Sequence, residues 1–175
     1  MLSRRAFQMV APATALELCL PATADALPSR ELFTLNRNTN ANVLKYVVRT
    51  GKDGLLDGSN PIEAYWLMLA EDGRREELTW TERRFAYGFS TSALHGRGCA
   101  LRLTACSERE LRVRAVDGRF RAELAIAKQP ATLQRIFVFA EPHALLPSVR
   151  YVEISGTSAS GKLISERILP HRSSR

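Results

Sequence analysis

From Leu32 onward the chain alternates apolar and polar residues in short segments, separated by Gly, Asp, Asn and Pro. A period of two puts every second side chain on one side of an extended backbone, so each segment reads as a strand with a single buried face. Strands read in this way cover 32–36, 42–49, 61–70, 100–105, 111–116, 119–127, 134–140, 149–155 and 162–168. The pattern predicts an all-β, mainly antiparallel fold: a single β-barrel or sandwich of about 8–9 short strands. One short helix is expected over 80–87, because Thr79 and Glu82 have the spacing of a capping box and Gly88 is placed to end it in a left-handed conformation.

Asp117-Gly118 is the strongest turn signal. A two-residue turn fixes the register of its hairpin, so Ala115 faces Phe120, Val113 faces Ala122 and Leu111 faces Leu124, an apolar face expected to look into the core. The opposite face then pairs Arg112 with Glu123 and sets Arg114 against Arg121. A second hairpin joins 151–155 to 162–168 through a loop at 156–161, flexible by its Gly, Ser and Thr content.

The first residues follow a different rule. Arg4 and Arg5 within Ser3-Arg4-Arg5-Ala6-Phe7, the apolar stretch from Val10 to Leu20, and Ala24 and Ala26 have the three parts of a twin-arginine export signal. Glu17 departs from that pattern, at a cost of about 2–3 kcal/mol inside an apolar segment. The expected organisation is a signal peptide over 1–26, one β-domain over 27–170 and a disordered tail over 171–175, giving a periplasmic or secreted protein. No permanent membrane span is expected after processing, because Pro12, Glu17 and Pro21 interrupt the apolar run.

Charge adds a partner class. The formal net charge is +7, and arginine supplies it, with 21 Arg to 4 Lys. A guanidinium forks onto carboxylate or phosphate, which suits a small or anionic envelope ligand. Genome composition produces the same bias. Arg114 opposite Arg121, extended by Arg102, marks an anionic patch; the alternative is two guanidiniums splayed into water beside Glu123 and Asp117.

Catalytic and metal patterns are not legible. His95, His143 and His171 lie far apart, no nucleophile elbow frames a serine, and Gly156 to Lys162 lacks the order of a phosphate loop. No cofactor, metal or specific nucleic acid is expected. Cys99 and Cys106, read as one strand, would stand about 23 Å apart, whereas a disulfide needs Cα atoms within about 7 Å. Only a turn between them would allow a bridge.

Asn36, Asn38, Asn40 and Asn42 recur at every second position, with Arg37 among them. In an extended chain their amides line one side, a polar lining for a ligand; as loop residues they simply favour turns. Tyr65 and Trp66 point to opposite sides of their strand, so only one of them can line an interior.

Leu32 to Asn42, Pro61-Ile62-Glu63-Ala64-Tyr65-Trp66 and Ala86-Tyr87-Gly88, in that order, resemble the domain-of-unknown-function 4833 (DUF4833) family. Where the family pattern has serine after the arginine, this chain has Asn38. The family carries no established activity. The resemblance implies that Arg37, Asn40, Asn42, Tyr65, Trp66, Tyr87 and Gly88 belong to shared motifs. Arg37, Asn40, Asn42, Tyr65 and Tyr87 are the candidate ligand-binding residues. Arg37, Asn40 and Tyr87 are expected to form one polar site if the helix closes over the asparagine-bearing strand.

The leading expectation is a non-catalytic binding or structural module. The alternatives are a hydrolase-like enzyme with a cleft around Arg37 and Tyr87, with Glu63 or His95 as further members, and an interaction partner of another envelope protein.

Overall fold

Leu44, Tyr46 and Val48 are buried on one strand and Ile62, Ala64 and Trp66 on the next, while the residues between them are more exposed. The alternation read from the sequence is thus the inside–outside alternation of a sheet. The structure, a computed structural model, describes residues 30–95, 98–141 and 148–170. The expected signal segment, the expected tail, His143 and His171 lie outside these residues.

Eleven strands and one helix are present among the described residues: β1 Glu31–Arg37, β2 Val43–Val48, β3 Ile62–Met68, β4 Arg74–Glu77, α1 Trp80–Phe85, β5 Phe89–Leu94, β6 Gly98–Leu103, β7 Cys106–Val116, β8 Arg119–Ile126, β9 Gln129–Glu141, β10 Ser148–Ser158 and β11 Leu163–Ile168. The long strand β9 organises them. Along one edge it pairs with β10, which in turn pairs with β11. Along the other edge it pairs first with β8 near Thr132 and then, in parallel, with β1 from Arg135 to Val138.

Two limbs therefore leave the same edge of β9: β8-β7-β6-β5 and β1-β2-β3-β4. Their apolar faces turn toward each other and make a curled, mixed half-barrel, antiparallel except at the β1–β9 contact. Leu44 from one limb and Leu101, Val113 and Ala122 from the other are fully buried between them. No helix among the described residues is long and apolar enough to cross a membrane.

The Asp117-Gly118 hairpin has the register its turn dictates, with Ala115 opposite Phe120, Val113 opposite Ala122 and Arg114 opposite Arg121. Its apolar face leaves the core near the tip, where Ala115 is exposed. Two strands escaped the alternation reading. In β4, Arg-Arg-Glu-Glu has no apolar position, and in β5 the four central residues are small and exposed.

The segment 100–105 is not one strand to its end. β6 stops at Leu103, Thr104 and Ala105 turn the chain, and Cys106 begins β7 opposite Leu103. The turn that a disulfide would need exists, yet Cys99 faces Val113 instead, and both thiols are free. The loop expected at 156–161 is also shorter, because Gly156 to Ser158 continue β10 opposite β9.

The helix has its capping box: the Glu82 N–H donates to the Thr79 side-chain oxygen at 3.3 Å, and the Thr79 N–H donates to the Glu82 carboxylate at 2.9 Å. Gly88 serves α1 in another way than expected. It is not among the residues with positive φ. A Cβ there would stand 1.8 Å from the Arg83 carbonyl oxygen, so glycine is required because the start of β5 passes against the last turn of α1.

Candidate functional site

Arg37 ends β1 on the same face as Phe33 and Leu35, two buried residues. That face looks inward, so the alternation that builds the core carries a guanidinium to one end of it. Trp66 reaches the same place from β3, and Tyr87 arrives from the segment after α1. The Arg37 guanidinium carbon lies 5.2 Å from the Trp66 ring centre and 5.5 Å from that of Tyr87. The two rings meet edge to face at 5.3 Å and 85°. A cation held against two aromatic rings is stabilised by their quadrupoles, and more so as water is excluded.

The surrounding polar groups fix this arrangement. The Trp66 indole N–H donates to Glu82 at 3.0 Å, so the carboxylate that caps α1 also positions the ring under the arginine. The buried Tyr46 hydroxyl donates to the Tyr87 carbonyl at 2.9 Å, while its ring stacks on Phe33 at 4.5 Å. Burial holds the Tyr46 phenol well above its ordinary range, with Tyr87 adding to the effect. Burial also pushes the Tyr87 phenol up, Arg37 pulls it back and Glu82 adds to the rise. Tyr87 is therefore a protonated donor at neutral pH and a poor base.

Two polar atoms of this region are buried without a partner: Arg37 Nε and Asn42 Oδ1. Asn36 pairs with Val43, so Asn42 stands one register step beyond, alongside Arg37 and on the inward face of β2 with Leu44. One orphan is a donor and the other an acceptor. No carboxylate pairs with Arg37 among the described residues.

Arg37, Asn42 and Tyr87 thus gather at this end of the half-barrel. Asn40 lies exposed in the turn between β1 and β2. Tyr65 is on the other face of β3, under the Arg75 guanidinium at 4.0 Å and beside Glu63, which pairs with Arg75. The ring inside is that of Trp66. The phase of Ile62, Ala64 and Trp66 against Glu63 and Tyr65 carries this choice in the sequence. Glu82 was legible as a cap but not as a partner of Trp66, since that bond crosses from helix to sheet. Asn38 plays a structural part, because its side-chain amide exchanges two hydrogen bonds with the Ala140 backbone, at 3.0 and 2.9 Å, prolonging the β1–β9 pairing. Of the other proposed members of an enzymatic cleft, Glu63 is on the outer face and His95 is exposed after β5.

Arg114 and Arg121 stand opposite each other in a groove of about 960 Å³ that Arg112, Glu110, Glu123 and Gln134 also line. Carboxylates relieve the repulsion: Arg114 Nε donates to Glu123 at 3.1 Å and Arg121 approaches Asp117 at 3.5 Å. Arg102 lies outside the groove lining and pairs with Glu110 at 2.6 Å. Among the described residues no group of His, Cys, Asp and Glu is placed to hold a metal ion.

A family model described as "Domain of unknown function (DUF4833)" matches residues 33–167, which include Arg37, α1 and every strand from β2 to β10. No curated protein and no solved structure matches the chain.

Proposed function

We propose, from the premise that this chain belongs to the DUF4833 family, that it is a non-catalytic binding module of the bacterial envelope, holding a small anionic ligand on Arg37. The observation that carries this reading is the pair of orphaned atoms, Arg37 Nε and Asn42 Oδ1, beside a guanidinium that two rings hold and that no carboxylate among the described residues pairs with. Leaving a polar group buried and unmatched costs about 1–3 kcal/mol. A ligand with an acceptor oxygen for Arg37 and a donor for Asn42, such as a hydroxy acid or a phosphorylated polyol, removes both penalties and gains a charge-assisted hydrogen bond. Tyr87 supplies a donor rather than a base, which favours holding a ligand over abstracting a proton from it.

The envelope location rests on Arg4, Arg5 and Phe7 with the apolar stretch and small residues that follow them. Cell fractionation with N-terminal mass analysis checks it, the expected product beginning at Leu27. The ligand is tested by native mass spectrometry of protein purified from its own host, before and after denaturation, alongside a folded Arg37→Gln variant. The expected result is a non-covalent mass that disappears on denaturation and is absent from the variant. A bare parent protein whose melting temperature no small carboxylate or phosphate raises would overturn the reading.

A further inference from the structure

Arg112, Glu123, Thr132 and Thr157 form one row across β7, β8, β9 and β10, each opposite the next. Opposed residues share a face, and this one looks away from the core, because Leu111, Val113, Ala122 and Leu133 beside them are buried on the other side. Neighbouring strands lie about 4.8 Å apart, so the row is about 14 Å long. It runs through the groove of about 960 Å³ that also holds Arg114 and Arg121. That length suits a short oligomer better than a single ion. Arg37 does not line this groove, so the groove is independent of the site proposed above.

Three arginines and two glutamates line the groove, but the carboxylates are already engaged. Glu110 accepts a hydrogen bond from Arg102, outside the groove, at 2.6 Å, and Glu123 accepts two from Arg114. Among the described residues the carboxylates nearest Arg112 and Arg121 are then at 3.9 and 3.5 Å, beyond the roughly 2.7–2.9 Å of a charge-assisted hydrogen bond. These two arginines stand diagonally across the β7–β8 pair, about 7–8 Å apart along the backbone surface. On β9 and β10 the charges give way to neutral polar groups. Thr132, Gln134 and Thr157 hold no side-chain hydrogen bond among the described residues, and their hydroxyls and amide face the groove.

We propose that this groove binds a short segment of an acidic polysaccharide. Carboxylates of its uronic acid units lie on Arg112 and Arg121, and sugar hydroxyls on Thr132, Gln134 and Thr157. The division of the groove carries this choice, since its ligand needs acid groups at one end and neutral donors and acceptors at the other, and a uronic acid chain repeats both. Other polyanions fit less well. Single-stranded nucleic acid is held by stacking its bases on aromatic rings, and no ring lines the groove among the described residues. Leu124 is the only large aliphatic side chain in that lining, so no apolar pocket anchors a peptide or an acyl chain.

The test is isothermal titration calorimetry at low salt with oligomers of galacturonate, mannuronate and glucuronate, beside a neutral dextran oligomer, oligothymidylate and polyglutamate. Parent protein is compared with R112Q/R121Q and with R75Q, which removes an arginine from β4 on the other limb; circular dichroism checks that each is folded. Expected are binding of at least one uronate oligomer by the parent, weakened by salt, an affinity at least about tenfold lower in R112Q/R121Q, and no change in R75Q. A parent that binds none of the three uronates, or an R112Q/R121Q protein that binds them as well as the parent, would overturn the proposal. So would dextran, oligothymidylate or polyglutamate binding the parent as tightly as the uronates, because the groove would then recognise hydroxyls alone or charge alone.

Discussion

An alanine at position 88 would bring its Cβ to 1.8 Å from the Arg83 carbonyl oxygen, where ordinary contact begins at 3.4 Å, a shortfall of 1.6 Å. The obstacle is backbone, so no side chain can rotate away. Either the start of β5 or the last turn of α1 must move, and Tyr87 lies between them. Its N–H donates to the Glu82 carbonyl at 2.8 Å, and its own carbonyl receives the Tyr46 hydroxyl at 2.9 Å. Overpacking costs about 1–3 kcal/mol, and stranding the buried Tyr46 hydroxyl costs about 1–3 kcal/mol more. With about 3 kcal/mol lost in all, the melting temperature should fall by roughly 6–12 °C for a domain of this size. Circular dichroism during thermal unfolding reads that change, and Gly161 provides the control. Gly161 has φ of +80° and nothing within 4 Å of the place a methyl group would take, so Gly161→Ala should lose only about 1 kcal/mol, from backbone strain alone. Asparagine separates the two causes. It tolerates the left-handed region, so Gly161→Asn should be milder than Gly161→Ala, whereas Gly88→Asn should be at least as damaging as Gly88→Ala. If Gly88→Ala melts within about 2 °C of the parent, or if Gly88→Asn is nearly neutral, the close-approach argument is wrong.

Glu166 on β11 accepts two hydrogen bonds from Arg109 and one from the Ala127 N–H at 2.8 Å, joining the last strand to the opposite limb. The Arg109 hydrogen bonds hold its carboxyl below the ordinary glutamate value, with burial opposing them. A depressed folded value means stability that is present above the unfolded pKa, about 4.3, and lost as pH falls through the folded one. Urea unfolding of the parent should therefore weaken below about pH 4.3, and Glu166→Gln should flatten that dependence; equal slopes for the two would remove the link. The two thiols should also differ. Cys99 is buried, and burial pushes its thiol up, so a thiol reagent should label the half-buried Cys106 first and reach Cys99 only on unfolding. Labelling of Cys99 in the native protein at the rate of Cys106 would contradict its placement opposite Val113.

Local chemistry made much of this protein legible before its structure. Two-residue alternation specifies strands because burial on one face is a property of neighbouring residues. The Asp117-Gly118 turn specifies a register because two strands joined by two residues have no freedom to slip. The Thr79 and Glu82 pair specifies a helix start because both partners lie within one turn. The failures have equally local causes. β4 has no apolar residue to alternate, β5 keeps its large apolar residues at its two ends with Ser, Thr and Ser between, and the turn at Ala127 and Lys128 holds two ordinary residues at φ of 49° and 64°, without the Asn or Gly that usually announces such geometry.

What the chain alone determined is therefore its class: a strand-rich domain with one capped helix, the Arg114 and Arg121 pairing, and the motifs of its family. Tertiary structure decided the rest. The parallel contact of β1 with β9 joins residues about a hundred positions apart, and no local signal encodes a pairing whose partner is chosen by how two limbs close over one core. That same contact, with the Asn38 bonds to Ala140, sets the end of β1 and so the place of Arg37. Trp66 rather than Tyr65 faces that arginine because the β3 face bearing Ile62 and Ala64 must be buried, and Tyr87 meets it because Gly88 lets β5 pass against α1. The residues of the candidate site are written in the sequence, but their meeting depends on packing between elements far apart along it.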